Sequence, residues 1–432
     1  MSESTQDIMY KSLSILAFLA SFQVGAQNWN WTELSPMPFK SANNAVCEAV
    51  VNGNEYVYSF AGIDTSKVYT GIHNRSFRYD VAADSWTEIA PLPDSMTKIA
   101  AAASYVDGKI YIIGGYTVFA NSNEVSSERV HIYDPATDTY ETDGAPIPVA
   151  IDDQVQCVYK DSLIFVVTGW SNTANFPTVQ IYDPSLDQWQ NGTFVPTTFQ
   201  YTAFGASGYI IGDTLYYHGG AAGGSFAARK FIRKGYINPA DPTDITWELM
   251  GEAPGDAGYR ATCSGTDDRV FWVGGSPTSY NYDGIAYNGS GGVDPSARIL
   301  YFNPSDSTYL DETTQPYGVM DLRGIAKLSN NRWIICGGMD TNQVVSNRTF
   351  LLESNSLDLS EQAINLLSVA HGNNGVTIVA PEPTAFEVLD LSGKVVKNYN
   401  ASLEIQLYYD DFMAGMYLIR WKGGVQSIQI HY

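Results

Sequence analysis

The chain has 432 residues, with 46 acidic and 24 basic side chains and a formal charge of -22 at pH 7. A field of that sign repels phosphate backbones and anionic lipid surfaces, so nucleic acid and membrane surfaces are excluded as favoured partners. The 13% aromatic share, with 29 tyrosines, suits a β-rich core.

The first element is an apolar run, Ser12 to Val24, that follows Lys11 and ends in Val24-Gly25-Ala26. Small residues there suit signal-peptidase cleavage after Ala26, and the run is too short to span a bilayer. Residues 1–26 therefore read as a signal peptide, and the mature chain as secreted or surface-held after export through the periplasm, with no transmembrane segment. Glu3 and Asp7 are out of place in such a signal, and Met-Tyr-Lys-Ser-Leu-Ser-Ile-Leu from Met9 is a better one, so Met9 is a candidate start.

From residue 27 the chain repeats. Six apolar runs end in a glycine pair or a near relative: Ala61-Gly62, Gly114-Gly115, Thr168-Gly169, Gly219-Gly220, Gly274-Gly275 and Gly337-Gly338. Each marks a strand end where backbone passes without a side chain. A second motif follows, a tyrosine with a turn and a later aromatic: Tyr79-Asp80 to Trp86, Tyr133-Asp134-Pro135 to Tyr140, and Tyr182-Asp183-Pro184 to Trp189. Looser copies run from Tyr236 to Trp247 and from Tyr301 to Tyr309. The Asp-Pro pairs are turn chemistry, since Pro presets φ and the Asx side chain bonds its own backbone.

Glycine pair, Tyr-Asp-Pro and Trp at these distances resemble the kelch-repeat family of β-propellers. The resemblance implies an all-β fold: a six-bladed kelch-type β-propeller over residues 27–354, with four strands per blade. The sixth copy lacks its Trp strand, and Trp31-Thr-Glu-Leu-Ser-Pro-Met-Pro near the N-terminus copies Trp86-Thr-Glu-Ile-Ala-Pro-Leu-Pro. The N-terminal strand is therefore expected to complete the last blade and close the ring.

Cys157 and Cys263 stand at the same offset from their glycine pairs, where other repeats hold Ala103, Gly208 and Ala326, and Cys47 joins them if the first repeat has an insertion. Equivalent strands of separate blades are too far apart for a disulfide, so free buried thiols are expected. At a nearby offset stand Arg260 and Arg323, with Gln154 and Asn44 at the matching sites. The family resemblance places this position at one mouth of the ring and implies a ligand-binding pair aimed at an acidic sugar or peptide. The plainer alternative is that each arginine bridges to a neighbouring blade. The longest loop after a glycine pair, residues 276–297, carries Tyr280, Tyr282, Asp283, Tyr287 and Asn288 and suits a binding lid. Trp170 and Tyr116, directly after their glycines, are further candidate stacking faces.

No HExxH, CxxC or nucleophile elbow occurs, and the five histidines show no metal spacing, so no metal, no cofactor and no catalytic residue is assigned. An extracellular binding module for glycan or peptide is the leading function. Exported sialic-acid mutarotases of the same family are the enzyme alternative, with Asp152, Asp153, Arg260 and Arg323 as polar groups for the anomeric centre. A structural surface scaffold is the third.

Residues 355–368 read as a polar linker, and residues 369–432 as a small β-sandwich of alternating strands. Its phrases Val388-Leu-Asp-Leu-Ser-Gly-Lys-Val-Val396 and Ala414-Gly-Met-Tyr-Leu-Ile-Arg420 resemble the C-terminal (Por) sorting domain of type IX secretion substrates, which implies the outer-membrane secretion machinery as a partner. The usual Pro-Asn-Pro opening is absent, with Pro381-Glu-Pro383 nearby.

Overall fold

The computed structural model describes residues 28–355, 368–372, 374–390, 393–412, 414–421 and 424–430. The expected signal peptide, residues 1–26, and residues 356–367 of the expected linker lie outside the described residues. Trp29–Ser354 forms one compact unit, and the C-terminal strands belong to a second.

The larger unit is built from four-stranded antiparallel meanders. In the first, Ala45–Val51, Asn54–Ile63, Ile72–Asp80 and Ser85–Ile89 pair in sequence order. Four further meanders repeat that order, with first strands Ile99–Val106, Val155–Tyr159, Phe204–Ile211 and Thr262–Gly265. The sixth sheet runs Ala326–Leu328, Arg332–Cys336, Thr349–Asn355, and its outer strand is Asn28–Leu34 from the other end of the chain. Trp29 there lies 5.0 Å from the Phe271 ring and 5.4 Å from the Trp333 ring, bridging the fifth and sixth sheets.

The first strands of the six sheets are joined by a closed circle of backbone hydrogen bonds. The amide of Asn43 donates to Asp321 (3.0 Å), Ala100 to Asn43 (3.4 Å), Asp153 to Ala100 (3.1 Å), Gly205 to Asp153 (2.8 Å), Arg260 to Gly205 (2.8 Å) and Leu322 to Arg260 (3.3 Å). The circle needs left-handed backbone: Asn43, Ala100, Asp153, Gly205, Arg260 and Asp321 have φ between 49° and 66°. Peptide groups at the crowded axis thus find partners where water has little room.

The glycine pairs are the contact between neighbouring sheets. Gly115, Gly220, Gly275 and Gly338 donate their amides to Ile151, Gly258, Val319 and Ser41, carbonyls of the next connector, at 2.8–3.0 Å. That approach brings the same carbonyl against the position a Cβ would take on the preceding glycine, which also has positive φ at Gly219. Where the first glycine is missing, Thr168 adopts φ 46° and its hydroxyl takes over, accepting from the Ala203 amide at 3.0 Å.

The tyrosine motif proves to be a second tie. The hydroxyl of Tyr182 donates to Asp187 Oδ1 (2.5 Å), which also accepts the Ala145 amide of the preceding sheet (2.6 Å), while Trp189 Nε1 donates to the Ala145 carbonyl (2.8 Å). Tyr79 with Asp84 and Ser35, and Tyr133 with Asp138 and Ala90, repeat the arrangement. Asp80, Asp134 and Asp183 accept amides of their own turns, as turn chemistry requires. Asp187→Ala strands the hydroxyl of fully buried Tyr182 and one backbone amide. A loss of about 1–3 kcal/mol is expected in urea unfolding, and an unchanged midpoint would refute the tie.

All four cysteines are free; Cys47, Cys157 and Cys336 are buried and Cys263 is half-buried. Among the described residues no helix is long and apolar enough to cross a membrane.

In the C-terminal unit, Ser368–Gly372, Gly375–Leu389, Gly415–Trp421 and Gly424–Ile430 pair in that order, and Val395–Tyr408 lies on the other edge of Gly375–Leu389. Gly375–Leu389 runs as one long strand, and its first register shift against Val395–Tyr408 falls between Val379 and Thr384, where Pro381 and Pro383 cannot donate to a ladder. Val376, Ile378, Phe386, Val388, Leu407 and Ile419 form its core.

Candidate functional site

The connectors between sheets and the loops after the glycine pairs open at the same end of the larger unit, because each second strand ends beside the start of its first. The axis at that end is filled by charge. Arg260, 1% exposed, donates from Nε and Nη2 to both oxygens of Asp153 (3.1 and 2.7 Å) and from Nη1 to Asp321 Oδ1 (2.8 Å). Arg323 reaches from the sixth sheet to the third, donating from Nη2 to the Gln154 carbonyl (2.7 Å), with Nη1 3.7 Å from Asp153 Oδ1.

This geometry corrects the repeat alignment drawn from the sequence. The counterparts of Arg260 in the hydrogen-bonded circle are Asp153, Asp321 and Asn43; Gln154, Arg323 and Asn44 lie one or two residues beyond them, because the first, third and sixth repeats hold additional residues before the glycine. The two arginines therefore do not form a free matched pair. Both lie buried and bridge sheets, each facing carboxylate, which is the plainer of the two sequence readings.

The other candidate residues divide by depth. Gln154 donates to the Ile113 carbonyl (3.0 Å) and Asn44 to Ser59 Oγ (2.8 Å), both from buried positions. Tyr280 is fully buried, edge-on to Tyr259 with ring centres 5.1 Å apart, and Tyr116 is 4% exposed, so neither offers a stacking face. Trp170 and Tyr282 stay half-buried at the rim, packed on the axial core together with Phe226 and Tyr287. Trp170 and Phe226 have ring centres 5.3 Å apart, and Phe226 and Tyr287 5.0 Å, so an aromatic row crosses the third, fourth and fifth sheets. Phe226 carries no sequence signal, since it lies in a loop outside either repeated motif.

Residues 276–297 fold over the axis as a pinned cap. Tyr280 bridges Ala286, Ile285 bridges Gly292, and Gln343 Nε2 donates to the Val293 carbonyl at 2.6 Å. The outer side of this loop forms a cleft of about 480 Å³ lined in part by Asp256, Thr278, Ser290, Asp294, Ser296 and Thr313. Arg298 at its wall is spent on Asp311 (2.5 Å), the Asp256 carbonyl (2.7 Å) and the Pro254 carbonyl (2.6 Å).

Burial raises the pKa of two carboxyls at the axis. Burial, reinforced by the Asp153 charge, pushes Asp152 well above the usual carboxylate range, and its Oδ2 accepts from Ser126 Oγ at 2.6 Å. Asp321 is pushed up to about 6 by burial, against the pull of Arg260. Four buried atoms of this cluster, Asn44 Oδ1, Gln154 Oε1, Asp321 Oδ2 and Arg323 Nε, have no protein partner. They offer acceptors and one donor to water or a small polar group.

A second buried ionic group lies away from the axis. Lys98 Nζ is 2.9 Å from Asp94, His131 Nε2 3.2 Å from the same carboxylate, and His131 Nδ1 2.9 Å from Asp143. No spacing along the chain would have joined these residues. Among the described residues no group of three or more His, Cys, Asp or Glu is placed to hold a metal ion.

Comparison with known proteins agrees with this architecture. Residues 100–142 match the Kelch motif. A Kelch-like protein, terF, of Aspergillus terreus is 28% identical over 195 residues, covering 44% of this chain and 40% of the relative. An N-acetylneuraminate epimerase of Pasteurella multocida is 24% identical over 236 residues, covering 53% of each. The chain thus spans about half, or less, of these relatives. The solved structure of YjhT superposes with a TM-score of 0.61 at 16% identity, covering 75% of this chain and 98% of that one, a likeness of fold. The Kelch motif, the Kelch-like relatives and the repeated antiparallel sheets together support a kelch-repeat family for this chain.

Proposed function

We propose that the chain is an exported binding module: a six-bladed propeller, closed by strand Asn28–Leu34, that takes a carbohydrate or peptide ligand at the mouth covered by residues 276–297. The observation that carries this reading is the aromatic row of Trp170, Phe226 and Tyr287, left half-buried at the mouth while Arg260 and Arg323 are buried at the axis. Open aromatic faces beside polar loops are what a polar ligand needs for stacking and orientation. Arg260 and Arg323 act from below, as the rigid floor.

The test is a screen of arrayed glycans and peptides with the full chain and the Trp170→Ala, Tyr282→Ala double variant. Saturable binding by the parent and its loss in a folded variant support the mouth. Equal binding by both moves the site elsewhere.

The relation to an N-acetylneuraminate epimerase favours a second reading, an exported sugar mutarotase or epimerase, with Asp152, whose carboxyl burial raises well above the usual range, among its candidate groups. It requires faster anomer exchange in the presence of the protein. A structural scaffold requires neither binding nor exchange. The C-terminal unit is proposed as a type IX sorting domain. Export unchanged by removal of residues 369–432 would sink that role.

A further inference from the structure

Resting on the mouth reading above, we propose that the ligand is an uncharged oligosaccharide, and that the mouth discriminates against acidic sugars. The expectation drawn from the sequence was the opposite, because two arginines facing one opening would attract a carboxylate. The difference lies in how the guanidinium groups are spent.

Arg260 has three donor nitrogens, and all three point at carboxylate oxygens of Asp153 and Asp321. Arg323 is directed across the axis to the Gln154 carbonyl and toward Asp153. Arg298, beside the cleft, gives its three nitrogens to Asp311 and two backbone carbonyls. Arg229, on the fourth sheet's loop, lies 4.8 Å over the Phe199 ring and donates to the Ala222 carbonyl. An incoming carboxylate would have to displace an intramolecular partner to reach the first three of these cations, and a buried ion pair broken on one side leaves an uncompensated charge.

Apart from half-buried Arg229 and the loose Lys230–Glu252 pair, what the quadrant presents outward is acidic or uncharged. Asp256 and Asp294 are exposed and line the cleft, exposed Glu124 acts electrostatically on Tyr282 and Tyr287, and half-buried Asp283 follows Tyr282 in the chain. Their field opposes an anion, while the hydroxyls of Thr278, Ser290, Ser296 and Thr313 are neutral donors and acceptors suited to sugar hydroxyls. The aromatic row adds flat apolar faces of the width of a pyranose ring. A peptide would need a deep apolar pocket for an anchoring side chain, whereas eight of the thirteen residues lining the cleft are polar and its apolar lining is limited to Pro277, Val293, Pro295 and Ala297.

Three oligosaccharides of matched length separate the outcomes by calorimetry with the full chain: chitohexaose, which is neutral, the chitosan hexamer, which is cationic, and hexagalacturonate, which is anionic. The expected result is binding of chitohexaose at least tenfold tighter than hexagalacturonate, abolished in the Trp170→Ala, Tyr282→Ala variant. Glu124→Gln, at an exposed position that leaves the fold untouched, is expected to narrow the preference several-fold. Equal or tighter binding of hexagalacturonate, lost in the same double variant, overturns the neutral-ligand inference and leaves the mouth reading standing. Binding that survives the double variant, tightest binding of the chitosan hexamer, or no binding of any of the three at millimolar concentration also overturns the inference. In the first and last of those cases the mouth reading for carbohydrate falls with it.

Discussion

Arg260→Met is expected to lower the unfolding free energy by about 3–5 kcal/mol, the range for removing one partner of a buried ionic group. The reason is that Arg260 is the shared counter-ion of two buried carboxylates, Asp153 at 2% exposure and Asp321 at 0%, from different sheets. With methionine in its place the two acids face each other without a cation between them, apart from the more distant Arg323. Asp321, already pushed up to about 6 by burial against the pull of Arg260, rises further when that pull is removed and can escape part of the cost by taking up a proton. The loss should therefore be larger at pH 8 than at pH 5, because a carboxyl with a raised pKa is charged, and costly, only above that pKa. Adding Asp153→Asn and Asp321→Asn to Arg260→Met should restore a large part of the stability, since the neutral set removes the stranded charges. Urea unfolding of the single and triple variants at both pH values checks this. A single variant within about 0.5 kcal/mol of the parent would show that the cluster is not structural. The same result governs how binding data are read: weaker binding by an Arg260 variant reports a loosened floor as readily as a lost contact.

The second large effect concerns the outer strand of the sixth sheet. A chain beginning at Ser35 lacks Asn28–Leu34, and with it the Trp29 ring between Phe271, Tyr301 and Trp333 and the Trp31 ring on Tyr317 and Phe350. Truncation of a buried tryptophan costs about 3–5 kcal/mol. Two such losses, reduced because both rings are half-buried, together with an unpaired edge along Thr349–Asn355, approach the whole stability of a domain, about 5–15 kcal/mol. The shortened chain is expected to unfold at low urea or aggregate through its open edge. A synthetic peptide of residues 28–34 added in trans should restore part of the transition. An unchanged midpoint in the shortened chain would mean that this strand decorates the unit and does not close it.

Much of the architecture was legible in the residues because the same local problem is solved six times. In four of the six sheets a carbonyl from the next connector comes so close to the second strand that Gly114, Gly219, Gly274 and Gly337 cannot carry a side chain, and with Ala61 and Thr168 at the other two positions that need recurs along the chain as a visible period. Tyr79, Tyr133 and Tyr182 recur with their aspartates for a similar reason, since one carboxylate must hold both a hydroxyl and a neighbour's amide. Trp31 copying Trp86 placed the first strand beside the last sheet, a pairing of residues more than 300 positions apart that a repeat can reveal and a local pattern cannot.

The site was less legible, for a physical reason that Arg260 and Arg323 make plain. A sequence shows that two guanidinium groups stand near one opening, but whether they are free depends on what comes round the ring to meet them. Asp153 and Asp321 are 107 and 61 residues from Arg260, and one extra residue in a connector decides whether an acid or its neighbour occupies the circle. The repeats by themselves determined the turns and the free thiols, and the family resemblance they carry implied the sheet order and the end at which the loops gather. Only the tertiary structure decided that the arginines are spent inside, that Tyr280 is a floor and Trp170 a rim, and that the charge left facing outward in this quadrant is negative, because burial and pairing are properties of packed neighbours and not of spacing along a chain.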